Sequence, residues 1–279
     1  MDLLEKNFIE KFSFTDPERY WHYLHHLFPK NPFLVCALDI AGWDLFGKLK
    51  GKQLHNLWNL DISKNPLTDY TIGIDTIEKM VDKINEKPWP IYKIKLGTNE
   101  DVDIITELRK HTSSVFRIDA NAAWKQDEAL GTIKAFKDLN VEFIEQPLAK
   151  DDWEGMKFLF EHSPLPLIAD ESCVFESDVE KCKNHFHGIN IKLTKCSGIT
   201  PALRMIEKAR ELDMKVMVGC MNESSIGTGA IAQLLPLLDY VDMDGPLLLA
   251  EDVAKGVEFD YGKIIYSKGF GLGVSVEPF

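Results

Sequence analysis

No run of this 279-residue chain is long and apolar enough to span a bilayer. The longest uncharged stretch, Ser224 to Leu238, is broken by Gly and Pro, and no charged-then-apolar leader opens the chain. A soluble protein that stays in the cytoplasm is expected. Basic excess is missing too: Lys and Arg total 32 against 44 Asp and Glu, a net charge of -12 with no basic stripe. Nucleic acid and anionic membranes are disfavoured as partners, because both would be repelled. Cysteine is scarce and unpatterned. Cys36, Cys173, Cys182, Cys196 and Cys220 are odd in number and never at zinc-knuckle spacing, which suits buried thiols in a reducing compartment. Neither low-complexity sequence nor a linker divides the chain. What is present, 45% hydrophobic and 27% charged residues, is the composition of one large globular domain.

Residues 1–65 read as helical. Pro17 stands near the start of one segment and Pro32 opens another, Phe33 to Lys50, whose Leu34, Leu38, Ala41, Leu45 and Leu49 recur at helical spacing and are expected to pack. His22, His25 and His26 share a helix face at metal-like spacing but without an accompanying carboxylate, so a solvated face is expected.

From Tyr70 the texture changes to short apolar strands alternating with amphipathic helices. Strands are predicted at Tyr70–Ile74, Ile91–Leu96, Val115–Asp119, Val141–Glu145, Leu167–Asp170, Gly188–Leu193, Val216–Cys220 and Tyr240–Asp244. Helices between them include Asp101–His111, Gln126–Leu139, Pro201–Leu212 and Ser225–Leu238. Near-continuous apolar strands with intervening helices are the pattern of a parallel sheet covered on both faces, here an α/β TIM-type (β/α)7β barrel. An open doubly wound sheet is the alternative. It would usually carry a Gly-rich phosphate loop after its first strand, and none follows Tyr70–Ile74. The expected layout is a helical segment at 1–65 packing on the barrel, the barrel at 66–250 and a C-terminal tail at 251–279.

In such a barrel the active site lies at the carboxyl ends of the strands. Polar residues gather there: Lys93 and Lys95 on the second strand, Asp119 and Asn121 on the third, and Glu145 on the fourth. Asp170 and Glu171 end the fifth, Lys192 and Lys195 the sixth, and Asp242 and Asp244 the eighth. Any one of them could be a helix cap. Three carboxylates on consecutive strands, flanked by lysines, are harder to explain that way.

The chemistry of the set follows from charge. Asp119, Glu145 and Asp170 cannot all stay ionised at close quarters without a cation, and an all-oxygen set suits Mg²⁺. Lys95 and Lys192 would face each other across the mouth, with Lys93 beside Lys95. A lysine near a divalent cation and a second ammonium has its pKa depressed and can act as a base. Two opposed bases flanking a metal point to removal of a proton from a carbon next to a carboxylate or carbonyl, with the enediolate stabilised by the cation. Asp242 and Asp244, two apart on one strand face, would form an anionic clamp for a cationic substrate group.

The order KxK, DAN, EQP, ADES and IKLTK closely resembles the enolase superfamily, in its muconate-lactonizing-enzyme branch. The resemblance covers roughly residues 33 to 275. It implies Lys95 and Lys192 as acid/base lysines, Lys93 as the auxiliary lysine, and Asp119, Glu145 and Asp170 as Mg²⁺ ligands. Branch members include racemases, epimerases, cycloisomerases and dehydratases. VDMDGPLLL resembles the Asp-x-Asp motif of the dipeptide epimerases, where the pair holds the substrate's α-ammonium group. GCMNESSIG is similar to that subgroup's seventh strand, with Glu223 as a substrate-side or proton-relay residue. The implied activity is a Mg²⁺-dependent L-Ala-D/L-Glu epimerase of cell-wall peptide recycling, with a dipeptide substrate and, as is common in the family, a homo-oligomeric assembly. A muconate cycloisomerase or o-succinylbenzoate synthase type and a silent metal-binding barrel are the alternatives.

Two departures accompany the resemblance. Family members ordinarily begin with a strand-rich capping half-domain, whereas residues 1–32 show no hairpin alternation and only the tail, Lys263 to Val276, is similar to the capping domain's other part. A chain lacking most of its lid is the expectation. Ser197 stands where the family motif usually has a second glycine before Ile199.

Overall fold

The computed structural model describes residue 9 and residues 11–276. Eight strands pair in parallel in sequence order: β1 Tyr70–Ile72, β2 Ile91–Lys95, β3 Val115–Asp119, β4 Val141–Glu145, β5 Leu167–Ala169, β6 Gly188–Ile191, β7 Lys215–Gly219 and β8 Tyr240–Asp242. The ring closes where Thr68 bridges Val241 and Met243 N donates to Thr68 Oγ1 at 3.0 Å. Consecutive order with closure excludes the doubly wound sheet, whose strand order reverses at a switch point.

The strands carry apolar residues on both faces for a structural reason. Outward residues such as Ile94, Ile118, Ile144, Ile189 and Val218 meet the surrounding helices, while Phe143, Ile168 and Met217 fill the barrel interior. Seven helices of seven residues or more follow the strands: α3 Ile77–Glu86, α4 Asp101–Arg109, α5 Gln126–Phe136, α6 Trp153–His162, α7 Glu176–Cys182, α8 Ile199–Glu211 and α9 Ser225–Leu234. The last stops short of Leu238 because Pro236 lacks the donor an α-helix needs, and a 3₁₀ turn covers Leu235–Leu237. Several strands also end earlier than their apolar runs. Asp170, Lys192, Cys220 and Asp244 lie just beyond the ladders, where the backbone turns into the βα loops.

Among the described residues, the two helices of three turns or more that precede the barrel are α1 Pro17–Leu27 and α2 Pro32–Lys50. Asn31 Oδ1 caps α2 by accepting from Leu34 N at 3.2 Å, and Gly51 ends it with φ 63°. The face α2 buries is not the expected one. Val35, Cys36, Asp39, Ile40, Gly42, Trp43 and Gly47 are buried, whereas Leu45 and Leu49 are exposed and Leu34 and Leu38 only half-buried. An α-helix apolar on nearly all sides does not name its buried face by periodicity; close approach does. A Cβ on Gly42 would lie 2.7 Å from Tyr20 Cδ1, and one on Gly47 would lie 2.5 Å from Gly271 Cα.

Asp39 explains why a carboxylate sits in that face. Gly198, the N-cap of α8, has no side chain to cap with, and Asp39 supplies the acceptors from α2: Oδ2 takes Thr200 N at 3.0 Å and Oδ1 takes Thr200 Oγ1 at 2.7 Å. Burial pushes this carboxyl up to about 7. Ser197 adopts φ 77°, the conformation that favours glycine, and Trp21 Nε1 donates to its carbonyl at 3.1 Å. His22, His25 and His26 are exposed as expected, although Glu18 does accompany them, 3.2 Å from His22 Nε2. The tail folds back as the hairpin β10 Glu258–Asp260 with β11 Lys263–Ile265, and as β12 Ser275–Val276 paired with β9 Ala254–Lys255. All five cysteines are free thiols, and among the described residues no helix is long and apolar enough to cross a membrane.

Candidate active site

Strand alternation sends every second side chain into the barrel, so the register places Lys93 beside Arg117 and Lys95 beside Asp119, with Glu145 next to Asp119 on β4. Lys93 is the hub. It is 1% exposed, and its Nζ lies 2.8 Å from Glu145 Oε2, 2.9 Å from Asp242 Oδ2 and 3.1 Å from Asp119 Oδ2. Lys95 Nζ meets Asp119 Oδ2 at 2.5 Å. On the opposite wall Lys192 Nζ meets Asp170 Oδ2 at 2.6 Å and Lys195 Nζ meets Asp170 Oδ1 at 3.0 Å. Asn190 Nδ2 donates to Glu145 Oε1 at 2.7 Å. Glu145 Oε2 is buried without a hydrogen-bond donor, its contact with Lys93 being close but poorly aligned.

The charges respond to this crowding. Burial and the neighbouring Asp119 push Glu145 up to about 7. Burial works against the Asp119 charge too, but Lys93 and Lys95 outweigh it and hold that carboxyl well below the usual range. Burial would lower the Lys192 ammonium, yet Asp170 and Glu145 keep it above the ordinary lysine value. Facing Asp170 directly, Lys192 is a held cation; the depressed base is the expectation for a lysine next to a divalent cation. Three buried carboxylates with no His or Cys among them have the donor chemistry of a hard-cation site, and Glu145 Oε2, paired with Lys93 but without a hydrogen bond, is an oxygen such a cation would satisfy.

Backbone strain and a side-chain tie fix these positions. Asn121 and Ala122 after β3, and Gln146 after β4, all have positive φ, conformations that cost about 1–3 kcal/mol each and cluster at functional sites. Gln146 Oε1 accepts from the backbone N–H groups of Asp170 at 3.0 Å and Ser172 at 3.1 Å, so it sets the loop that carries Asp170.

The eighth strand supplies two more carboxylates with the same division of labour. Asp242 gives Oδ2 to Lys93, and Asp244 gives Oδ2 to Thr71 N at 2.7 Å. Their Oδ1 atoms each lie 3.9 Å from Cys220 Sγ. Burial and Asp242 push Asp244 up to about 7, while Lys93 holds Asp242 low against its burial. A cavity of about 370 Å³, lined by Lys93, Lys95, Asp170, Lys192, Asp242 and Asp244, joins the two clusters. A larger cavity of about 840 Å³ lies elsewhere, between α2, the start of α9 and the tail. Convergence of titratable groups makes the smaller one the candidate site.

The family profile described as enolase C-terminal domain-like matches residues 75–279. The chain belongs to the enolase C-terminal domain-like family. Similar curated relatives include an L-Ala-D/L-amino acid epimerase of Flavobacterium johnsoniae, 55% identical over 99% of this chain and 83% of that protein. An L-Ala-D/L-Glu epimerase of Bacteroides thetaiotaomicron is 40% identical over 98% of this chain and 73% of its own. Among solved structures, a dipeptide epimerase from Cytophaga hutchinsonii complexed with Mg and D-Ala-L-Val superposes with a TM-score of 0.88 at 29% identity, covering 95% of this chain and 76% of that one.

In this family member the fold brings Lys93, Lys95, Lys192, Asp119, Glu145, Asp170, Asp242 and Asp244 to one barrel mouth. The ligand atoms of Asp119, Glu145 and Asp170 do not all lie within 4.8 Å of one another; among the described residues the set that does is Cys220, Asp242 and Asp244. Ammonium groups explain the spread, since Lys93 bridges Asp119 to Glu145 while Lys192 and Lys195 hold Asp170. Glu223 lines the larger cavity, where its Oε1 accepts from Met221 N at 3.1 Å. It touches the site through the loop it holds. Sequence reading passed over Arg117, Asp69, Gln146 and Asn190. A charge inside an apolar strand two residues before Asp119 was the available signal for Arg117.

Proposed function

We propose that this protein is a Mg²⁺-dependent dipeptide epimerase of the L-Ala-D/L-Glu type, an isomerase that inverts the α-carbon of a dipeptide's C-terminal residue. The observation that carries the reading is one small cavity holding two opposed lysines and, beside them, two carboxylate oxygens with no protein cation of their own. Lys95 ends β2 and Lys192 directly follows β6, the second and sixth of eight strands, hence on opposite walls. Inversion needs that arrangement. One amine takes the α-proton from one face while the opposed ammonium delivers a proton to the other, and reversal exchanges their roles.

Asp242 Oδ1 and Asp244 Oδ1 bind the α-ammonium group of the substrate, a use for anionic oxygens that an anionic cycloisomerase substrate would not have. Lys93 neutralises the buried carboxylates and fixes Asp242. Asp119, Glu145 and Asp170 are the residues that would hold Mg²⁺. Bound there, Mg²⁺ would supply positive charge for the negative charge that develops on the substrate carboxylate and would offset the Asp170 charge that otherwise keeps Lys192 protonated. Glu223 positions the Met221–Asn222 loop over the cavity. A cytoplasmic role in recycling cell-wall peptides fits such a substrate.

The test is isotope exchange. L-Ala-L-Glu incubated with the protein and Mg²⁺ in D₂O should gain deuterium at the C-terminal α-carbon, and Lys95→Ala or Lys192→Ala should abolish epimerisation. Absence of exchange across a broad dipeptide panel, with Mg²⁺ bound, would refute the assignment.

A further inference from the structure

Beneath the clamp lies a buried charge pair that the reading above does not use. Arg117 on β3 reaches across the barrel interior: Nη1 donates to Asp69 Oδ2 and to the Val241 carbonyl, each at 2.9 Å, and Nε donates to Glu142 Oε2 at 2.8 Å. Its guanidinium lies 5.5 Å from the Phe143 ring centre and 5.3 Å from that of Tyr240. Both Arg117 and Asp69 are buried. A buried ion pair is weak evidence for stability, since apolar residues of similar volume often serve as well, and the apolar cluster of Phe143, Ile168 and Met217 already occupies this interior. The pair therefore calls for another account.

Asp69 gives it. Oδ2 is held by Arg117, while Oδ1 is buried without a donor among the described residues. The chain places Asp69 beside Asp242: Thr68 bridges Val241, and Arg117 Nη1 donates both to Asp69 and to the Val241 carbonyl. Two carboxyl groups can hydrogen-bond only if one keeps a proton. Burial and the Asp242 charge hold the Asp69 carboxyl well above its ordinary value, whereas Lys93 holds Asp242 low against its burial, so Asp69 is the donor. Asp242 then has fixed partners in Lys93 and Asp69, and its Oδ1 edge turns toward Cys220 and the cavity.

We propose that Arg117 and Asp69 are positioning residues: Arg117 orients the Asp69 carboxyl, and Asp69 orients Asp242 so that an oxygen is presented to the substrate's α-ammonium group. This rests on the reading of Asp242 as half of the ammonium clamp. Neither residue touches the reacting carbon, so the effect belongs in substrate affinity rather than in the proton transfers.

Steady-state epimerisation of L-Ala-L-Glu by the full chain with Mg²⁺ separates the two. Asp69→Ala should raise KM about tenfold, the scale of one misaligned charge-assisted hydrogen bond, with kcat changed by less than about threefold. Asp69→Asn keeps an acceptor for Arg117 and a donor for Asp242 and should restore KM to within about threefold of the parent. In an Asp242→Asn background, adding Asp69→Ala should raise KM no further. Should Asp69→Ala fail to fold, Arg117→Lys, which keeps the charge but loses the fork, is read with the same expectation. An unchanged KM, a loss confined to kcat, or Asp69→Asn behaving like Asp69→Ala would overturn the proposal. A parent protein that neither turns over nor binds the dipeptide overturns the clamp itself and this inference with it.

Discussion

Lys93→Met is the sharpest perturbation available, because it deletes a charge at nearly constant volume from the centre of the site. Lys93 is fully buried and in contact with Asp119, Glu145 and Asp242 at 2.8 to 3.1 Å. Removing one partner of a buried pair costs about 3–5 kcal/mol, because the remaining charge is left uncompensated. At roughly 2–4 °C per kcal/mol for a large domain, the midpoint of thermal unfolding should fall by roughly 10 °C at pH 8. The deficit should shrink on acidification. Glu145 has its folded pKa raised from 4.5 to about 7, so the folded state binds the extra proton and the stability from this group, complete below pH 4.5, is lost as pH rises to about 7. Without Lys93 that window extends upward, and protonation at pH 5.5 relieves the variant more than the parent. Added Mg²⁺ should raise the variant's midpoint more than the parent's, by neutralising the same carboxylates. Circular dichroism melts at both pH values, with and without Mg²⁺, read all three effects. Lys79→Met, at the exposed Lys79–Asp75 pair of 3.0 Å, is the control and should not move the midpoint measurably. A Lys93→Met midpoint within about 2 °C of the parent at pH 8 would refute the assignment of Lys93 as the shared counter-ion.

Other consequences are local to the α2–α8 junction. Ser197→Gly relieves a left-handed residue while Trp21 keeps its bond to the carbonyl, so denaturant unfolding should show a gain of about 1 kcal/mol. Gly198→Ala should cost more than about 2 kcal/mol in the same assay, since its Cβ would lie 2.3 Å from Asp39 Oδ2 at a φ of 130°. Asp39 binds its proton more tightly folded than unfolded, so its contribution falls as pH rises from 3.8 to about 7; Asp39→Asn should remove that slope from the stability profile at some cost in Thr200 bonding.

The barrel was legible because its signals are local. Short apolar runs such as Ile91–Lys95 and Val115–Asp119, separated by helical periods, recur eight times, and strand alternation alone decides that Lys93 and Lys95 share a face. Candidate site residues could be named for the same reason: each is the polar residue at which an apolar strand stops. Tertiary structure decided the rest. Lys93 belongs with Glu145 and Asp242 as much as with Lys95, and Arg117 reaches Asp69 and Val241, residues far away in the chain that meet only when β8 closes on β1. Glu223 turned toward the larger cavity and α2 turned Leu45 and Leu49 outward, choices set by which neighbours pack closest. Periodicity along the chain says which side chains point together; which charges meet, and which proton each keeps, depends on the distances that closing the barrel imposes.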